Sequence, residues 1–544
     1  MTTVVRRVMR KRRSMEPGEA DAGIAMVMVM LIMLTVSILI VAMSSMSLAS
    51  MVQARARQDS PAALQAAEAG IDDFQTRLNQ SPTNFVPTAT NDPALAGWVS
   101  VSGAANGAQY RVWIDNSVAA TGGRYTVVSS GRVNKKVRTL RATLRVNSFA
   151  DYLYFTNYET LAPAAGGAPS CDVYAWASAR SSGCNINFKT GDVLDGKVFS
   201  NDTISMTGTP TFQDTVETGA ATGVWNGGGT PVFNGYPATT SHAAVQALPV
   251  GNAQLKTDAQ TSFAGQTGCV FYGPTQIRLV PAIGAVSAHM MVTSPNTVSS
   301  MNPGPGCGTW PATEPLGGNQ TEQSVPMPGN GIAYVANVPP AVAVTYCLNQ
   351  FESPTTSGLV GDIDMPYSCT DGDAFVHGTN GGQITIGSQS DIYVTNNLLD
   401  DGGATTITGL ISNNFIWLWH PVDSSNNNLH ITTTEDGTPV TSPPVTGVNG
   451  LPANSMEVDA LMLADTDSII NMNWSRGPVQ GTFKVVGGLI QNFRGTVGTS
   501  SPTGYTKLYT YDSRLRGLIP PHFSQPGNIT WGRDRITEDV ARSN

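Results

Sequence analysis

The stretch that decides the fold runs from Gly23 to Leu78 and reads GIAMVMVMLIMLTVSILIVAMSSMSLASMVQARARQDSPAALQAAEAGIDDFQTRL. Its first part holds no charged residue until Arg55. A continuous helix over that first part would be about 45 Å long at ~1.5 Å per residue. Because this exceeds the ~30 Å of a hydrocarbon core, the segment is long enough to span a membrane.

A basic leader precedes Gly23 and contains Arg6, Arg7, Arg10, Lys11, Arg12 and Arg13. Short flanks rich in Lys and Arg resist translocation, so the N-terminus is predicted to be cytoplasmic and the C-terminal body extracellular. A cleaved signal peptide usually has an apolar core of only ~7–15 residues, and this segment is longer. A plain signal anchor in the cell membrane stays open as an alternative.

An apolar face continues beyond the charged residues, because side chains recur at spacings of three and four: Leu64, Ala67, Ile71, Phe74 and Leu78. Pro61 cannot donate to a helical hydrogen-bond ladder. Either the helix kinks there, or a second helix begins with Ser60 as N-cap and Pro61 at its first position.

The leader, Gly23, the apolar helix and the run 65–69 (QAAEA), which includes Glu68, resemble the N-terminal region of the minor pilin PilX family over residues 20–80. The resemblance implies that a prepilin peptidase cuts after Gly23 and frees Ile24 as the mature N-terminus. It also implies that the helix assembles with other pilin-like subunits in a type IV pilus-like filament.

Met28 would stand at the fifth mature position, where most members of the pilin class carry a glutamate. In pilins that glutamate is thought to pair with a terminal amine in the apolar filament core, where an unpaired charge is costly. A subunit without it is poorly suited to repeated internal positions. The resemblance therefore favours a minor or tip subunit that initiates or caps the filament, although a membrane protein outside any filament would lack the glutamate too.

The composition favours an extracellular, β-rich body with many turns, because only 13% of the 544 residues are charged while 56 are Gly and 34 are Pro. Without residues 1–23, which hold six basic and three acidic residues, 25 basic and 36 acidic residues remain, a net charge of −11. Binding to nucleic acid through phosphates requires basic patches, so no nucleic-acid partner is expected.

Six cysteines follow the apolar segment: Cys171, Cys184, Cys269, Cys307, Cys347 and Cys369. An even number in an exported chain favours disulfides. If cysteines adjacent in the sequence pair, the disulfides are Cys171–Cys184, Cys269–Cys307 and Cys347–Cys369. Six cysteines allow fifteen connectivities, and these stay open. No Cys-x-x-Cys motif and no His pair has ligand spacing, so neither a metal site nor a cofactor is expected.

The sequence divides into a basic leader (1–23), a transmembrane and amphipathic assembly helix (24–80), a small antiparallel β unit (81–148) and a large exported body (149–544). Within the small unit, 109–114, 124–129 and 137–146 alternate apolar and polar residues, as half-buried strands do. Asn134 and Gly122-Gly123 are predicted in turns. A sheet packed on the preceding helix is also the pilin arrangement that the resemblance implies.

The body is predicted to be a parallel β-helix or solenoid, because short apolar strands are separated by Gly, Asn and Asp. Rung-like pieces are 191–206, 372–378, 383–387, 409–416 and 483–495. Asn413, Asn414 and Asn492 suggest an asparagine ladder in the turns. A β-sandwich is the alternative fold.

Some enzymes that act on polysaccharides also use β-helices with paired carboxylates. Candidate pairs are Asp192 with Asp195, Asp362 with Asp364, Asp371 with Asp373, and Asp400 with Asp401. Such pairs are more often solvated turns, and no catalytic motif is present in the sequence. We therefore expect a structural subunit and not an enzyme, with adhesion to a surface ligand such as a polysaccharide. A membrane-anchored surface protein and a carbohydrate-active enzyme are the alternatives.

Overall fold

The computed structural model describes residues 21–80, 92–104, 106–115, 124–146, 148–178, 180–221, 223–235, 239–241, 243–261, 265–312, 322–340, 342, 344, 359–360, 368–420, 422–423, 430–433, 439–442, 451, 454–499, 503–525 and 531–539. The α-helices are α1 (Asp21–Gln80), α2 (Pro93–Ala96) and α3 (Ala253–Gln260). Short 3-10 helices span Phe149–Asp151, Pro163–Ala165, Pro169–Cys171, Ser182–Cys184, Ser299–Met301 and Ser513–Arg516.

The strands are β1 (Val99–Ser100), β2 (Gln109–Ile114), β3 (Arg124–Val133), β4 (Lys136–Val146), β5 (Tyr154–Tyr158), β6 (Asn187–Phe188), β7 (Val193–Asp195), β8 (Val198–Ser200), β9 (Ile204–Met206), β10 (Thr211–Phe212), β11 (Val216–Thr218), β12 (Trp225–Asn226), β13 (Val232–Phe233), β14 (Thr239–Thr240), β15 (Cys269–Tyr272), β16 (Thr275–Val280), β17 (His289–Thr293), β18 (Gln323–Pro326), β19 (Ile332–Ala336), β20 (Leu359–Val360), β21 (Ala374–Asn380), β22 (Gln383–Ser388), β23 (Ile392–Asp400), β24 (Ile407–Ser412), β25 (Ile416–Leu418), β26 (Val422–Asp423), β27 (His430–Thr433), β28 (Pro439–Ser442), β29 (Met456–Ala464), β30 (Ile469–Asn471), β31 (Val479–Phe493), β32 (Gly504–Tyr511) and β33 (Trp531–Asp539). The chain is therefore mainly β, with one long apolar helix near its N-terminus.

The chain folds as two compact units, which we call the helix–sheet unit (1–145 with 531–544) and the body (146–530). The sheet of the helix–sheet unit has the strand order β1-β2-β3-β4-β33, with antiparallel pairing from β1 to β4. Its fifth strand comes from the far end of the chain. The body is thus an insertion between two neighbouring strands of one sheet, whereas the sequence-based division had placed every residue from 149 to 544 in the body.

The turn between β3 and β4 is tight, because Val133 is paired with Lys136. Asn134 has a positive φ of 52° there, in the left-handed region that Asn tolerates better than most residues. The turn predicted at Asn134 is therefore present. The turn predicted at Gly122-Gly123 lies outside the described residues.

The main feature of the body is a stack of parallel strands. Neighbour by neighbour, its order is β15, β19, β22, β24, β29, β31, β5, β8, β11 and β14. The register aligns one apolar column through the stack: Cys269, Ala333, Ile386, Leu410, Met462, Leu489, Tyr154, Val198 and Val216. All of these side chains belong to one buried core.

The path of the chain through this stack starts in the middle. It enters at β5, advances to β14 at one end, crosses to β15 at the other end, and comes back to β31 beside β5. The crossing is made by a return segment, residues 243–261, in which Asn252 donates to the backbone oxygens of Ser388 (2.6 Å) and Ile411 (3.2 Å). The first strand of the body, β5, is therefore the neighbour of β31, the last but one of its strands.

Two further parallel stacks accompany the first: β31-β32-β7-β10-β13 and β16-β21-β23-β25-β30. The sheets are not closed. Antiparallel pairs among the named strands of the described body are β16–β17, β17–β18, β20–β26 and β27–β28. A β-sandwich is built from antiparallel sheets, so this pairing does not support that alternative.

Two buried ion pairs join the beginning of the body to its end. Arg494 Nη1 lies 2.7 Å from Glu159 Oε2, and Lys507 Nζ lies 2.9 Å from Asp192 Oδ2. All four side chains are at most 4% exposed. Because a buried charge without its partner is costly, these pairs favour one register between the two ends.

Disulfides join Cys171 to Cys184 and Cys269 to Cys307, with Cα–Cα distances of 5.5 Å. These are two of the pairs that sequence neighbourhood predicted. Cys369 is also disulfide-bonded. The predicted partner, Cys347, lies outside the described residues.

Candidate assembly interface

The first half of α1 is an apolar surface. From Met26 to Met51 its large apolar side chains are 47–74% exposed, and an 18-residue window has a mean hydropathy of 2.9. The helix is long and apolar enough to cross a membrane. An exposed apolar surface of this size is typical of a site that contacts lipid or another protein.

Several hydroxyl side chains on this half bond to the helix itself. Thr35 donates to the backbone oxygen of Ile32 (2.9 Å), and Ser37 donates to that of Met33 (2.7 Å). Ser45 bonds in the same way, to Ala42. A hydroxyl that is hydrogen-bonded within the helix costs less free energy to place in an apolar environment than a hydroxyl without a partner.

The second half of α1 is buried against the sheet of the same unit. The contact face consists of Ala63, Ala66, Ala67, Gly70, Ile71, Phe74 and Leu78. Small residues allow close approach of the backbones, since a Cβ added at Gly131 of β3 would collide with the backbone of Ala63 and Ala67. A Cβ at Gly70 would likewise collide with the Ser129 hydroxyl.

The end of α1 is fixed to the C-terminal strand β33. Gln75 donates to the backbone oxygen of Trp531 (2.8 Å), and the Trp531 N–H donates to Asn79 Oδ1 (2.6 Å). The Trp531 ring lies 5.2 Å from that of Tyr125, which meets the Phe74 ring edge-on at 6.1 Å. Residues more than 450 positions apart therefore form one contact.

A single helix passes through Pro61, so the alternative of a second helix that begins at Ser60 is wrong. Ser60 does not need to act as an N-cap, because its hydroxyl accepts from Arg138 of β4 (2.8 Å). Asn134, in the β3–β4 turn, donates to the Asp59 carboxylate at 3.0 and 3.1 Å. These bonds fix the helix to the sheet where the proline interrupts its ladder.

A polar cluster closes the unit beside the last turns of α1. Asp92 caps α2 by accepting from the Ala94 N–H (3.0 Å), and burial raises its pKa. Burial and the neighbouring Asp73 carboxylate raise the pKa of Tyr110 to about 12. The hydroxyl of Tyr110 therefore stays protonated beside the Asp73 carboxylate.

The sequence-predicted residues divide between the two halves of α1. Ile71, Phe74 and Leu78 are fully buried, while Leu64 is half-buried and Glu68 is exposed. Met28 is 64% exposed on the apolar half. Gly23 and Ile24 lie in the first turn of the helix, and the surroundings of these two residues are outside the described set.

The carboxylate pairs considered for catalysis are not equivalent. Asp192 is buried against Lys507, whereas Asp195 is exposed. Asp373 is also buried, and burial raises its pKa well above the ordinary value. Asp400 pairs with Arg514 at 2.9 Å. Asp362 and Asp364 lie outside the described residues.

Among the described residues no group of three His, Cys, Asp or Glu side chains is arranged to hold a metal ion. Asn413, Asn414 and Asn492, predicted as one ladder, take part in two separate sets of hydrogen bonds between asparagines. Asn157 donates to Asn492 (2.8 Å), and Asn201 donates to Asn157 (2.9 Å). Asn413 donates to Asn414 at 3.0 Å.

No protein-family model matches the chain. No curated protein is similar to it. Among solved structures, the crystal structure of the competence-associated pilin ComZ from Thermus thermophilus is similar at a TM-score of 0.27 and 13% identity, covering 89% of this chain and 98% of that chain. A likeness at this level carries no functional argument, and the PilX resemblance stays an interpretation of the N-terminal sequence.

Proposed function

We propose that this chain is a pilin-like minor subunit that is anchored by α1, initiates or caps a filament, and displays the body outside the cell. The observation that carries the proposal is the division of α1 into an exposed apolar half and a half buried on an antiparallel sheet. One half is free to pack against other helices or lipid. The other half fixes the helix to its own unit.

The packing mechanism follows from the apolar half. A subunit leaving the bilayer must cover apolar side chains that are 47–74% exposed, and about 25 cal/mol is gained per Å² of apolar surface removed from water. Other pilin-like helices would provide this cover. Met28, in the place of the usual glutamate, gives the helix no carboxylate for a preceding subunit to use, which favours an end position.

The body is proposed to be a β-solenoid-like display module. Its parallel stacks and aligned apolar column, in which the first strand of the body pairs with β31, support this form. The proposed role of the body is adhesion and is not catalytic.

The deciding experiment is determination of the mature N-terminus by mass spectrometry of membrane fractions, with and without the prepilin peptidase of the host. We expect a peptidase-dependent start at Ile24. An intact leader, or cleavage elsewhere, would overturn the pilin interpretation. It would then favour the second candidate, a membrane-anchored surface protein outside any filament.

Position in the filament is tested by immunogold labelling of sheared filaments with an antibody against the body. The tip proposal predicts label at filament ends only. Label along the whole filament would contradict the capping role while leaving the pilin interpretation intact. The variant Met28→Glu is the matched test, since a restored carboxylate should admit the subunit to internal positions.

A further inference from the structure

A polar groove of about 520 Å³ lies on the body where the turns after three parallel strands meet the start of α3. Each of these strands is followed directly by a carboxamide: Asn337 after β19, Gln389 after β22 and Asn413 after β24. The strands are hydrogen-bonded neighbours, and their continued register sets Gln389 opposite Asn413 but Asn337 opposite Ser390. The groove wall therefore carries several amides close together, without a regular repeat.

The side-chain oxygens of Asn337, Gln389 and Asn414 are already used within the protein. Asn337 Oδ1 accepts from the Gly372 N–H (2.7 Å), and Gln389 Oε1 accepts from the Asn337 N–H (2.9 Å). Asn414 Oδ1 accepts from Asn413 Nδ2 (3.0 Å). These bonds fix the orientation of each amide plane.

The amide nitrogens of Asn337, Gln389 and Asn414 have no hydrogen-bond partner within the part of the chain that the structure describes. The three side chains are half-buried and line the groove. Three oriented NH₂ donors are thus presented along the groove. A ligand that fits them must carry a series of oxygen acceptors.

The charge of the groove argues against an ionic ligand. It contains one ammonium, Lys256, and one carboxylate, Asp371. Lys256 Nζ also lies 5.5 Å from the centroid of the Tyr272 ring. One charge of each sign gives no net field to attract a polyanion, which requires several cations in one place.

We propose that this groove binds a neutral saccharide chain, whose hydroxyl and ring oxygens accept hydrogen bonds from the amides of Asn337, Gln389 and Asn414. An extended peptide gains much of its affinity from side chains in apolar pockets, and turns formed by Asn, Gln and Ser do not provide them. The inference rests on the proposed display of the body outside the cell.

The test uses the full chain, purified in detergent, on an array of neutral oligosaccharides of glucose, galactose, mannose and N-acetylglucosamine, followed by calorimetry with the best probe. The variants Asn337→Asp and Gln389→Glu keep the bonded oxygen and replace only the free NH₂ group. Each should weaken binding about tenfold, the value of one hydrogen bond. The control Gln213→Glu, which retains its bond from Asn234 outside the groove, should leave affinity unchanged.

Several results would overturn the proposal. These are absence of binding to every neutral probe at millimolar concentration, binding that both groove variants leave unchanged, and selective binding of charged glycans or of peptides. A loss of affinity that high salt reverses would assign the effect to charge and also contradict it. Should either variant unfold, Lys256→Met on the opposite wall gives the second test, with the same expected loss. Binding is measured without filaments, so its failure would not affect the result for leader processing.

Discussion

Both units bring residues hundreds of positions apart into contact, but they hold them by different interactions. In the helix–sheet unit, Trp531 of the last strand is held by partly exposed hydrogen bonds to Gln75 and Asn79 and by the Tyr125 ring. In the body, Arg494 and Glu159 form a buried ion pair. The difference teaches that the distant segments of the small unit are joined by packing and partly exposed hydrogen bonds, whereas the two ends of the body are joined by matched buried charges.

The largest expected effect is in the helix–sheet unit. In Gly131→Val, the new side chain would collide with the backbone of Ala63 and Ala67, and backbone cannot move as a flexible side chain can. We expect a loss of about 5 kcal/mol or more, seen as loss of hydrogen-exchange protection in β2–β4 with the body unchanged. Gly97→Val is the control, because nothing lies within 4 Å of a Cβ there. Equal protection in both variants would disprove close packing as the basis of this unit.

The next effect is expected in the body. Arg494→Met leaves Glu159 buried without its partner, and breaking a buried pair costs about 3–5 kcal/mol. Hydrogen exchange should rise in β5 and β31 while β2–β4 stay protected. The double variant Glu159→Gln/Arg494→Met should recover most of the loss, since no uncompensated charge remains. A double variant as unstable as the single one would show that packing, and not charge, joins the two ends.

A smaller effect is expected at Asp465, in the turn after β29. Its side chain is buried at 3% exposure, and neither carboxylate oxygen has a hydrogen-bond partner among the described residues. Burial raises its pKa to about 7 from an ordinary 3.8. As pH rises, this carboxyl group loses its proton in the unfolded chain before it does so in the folded chain. The unfolded state is therefore increasingly favoured, and the body loses stability between about pH 4 and 7.

Asp465→Asn removes this titration, and its amide can donate as well as accept. We expect the variant to exceed the wild type in free energy of unfolding by about 3–4 kcal/mol at pH 8 and to equal it at pH 4, measured by exchange of β29 peptides. Asp195→Asn, at an exposed position of the body, is the control. A constant difference at both pH values would contradict the titration argument.

The sequence predicted features that depend on local pattern. The spacing of Ile71, Phe74 and Leu78 identified part of the buried face, and strand alternation located β2 to β4. The face residues Ala63, Ala66 and Gly70 were missed, because small residues give little apolar signal and are buried here by close approach to Gly131. The predicted pairing of the six cysteines depended on their closeness in the sequence, and this criterion suits disulfides that close short loops.

The contacts that were missed are those between distant segments. Trp531–Asp539 has few apolar residues and no clear alternation, so nothing local shows that it belongs to the first sheet. No local sequence pattern indicates the crossing from β14 to β15 or the pairing of β31 with β5. Two signals were available: Arg494 and Lys507 lie in or beside apolar strands, where a charge requires a buried partner.

The smallest effect is expected at the surface ion pair between Arg138 and Glu538, which joins β4 to β33 at 2.5 Å. Glu538 is 49% exposed, and exposed pairs contribute little because water and salt screen them. Glu538→Gln should therefore leave exchange protection of β4 and β33 unchanged, at low and at high salt. A marked loss at low salt would mean that charge holds the last strand in place, and the contrast between the two units would then disappear. An unchanged strand would instead assign the closure of the sheet to the remaining contacts, which include those of Trp531 with α1 and the pairs Arg141–Asp539 and Arg533–Asp72.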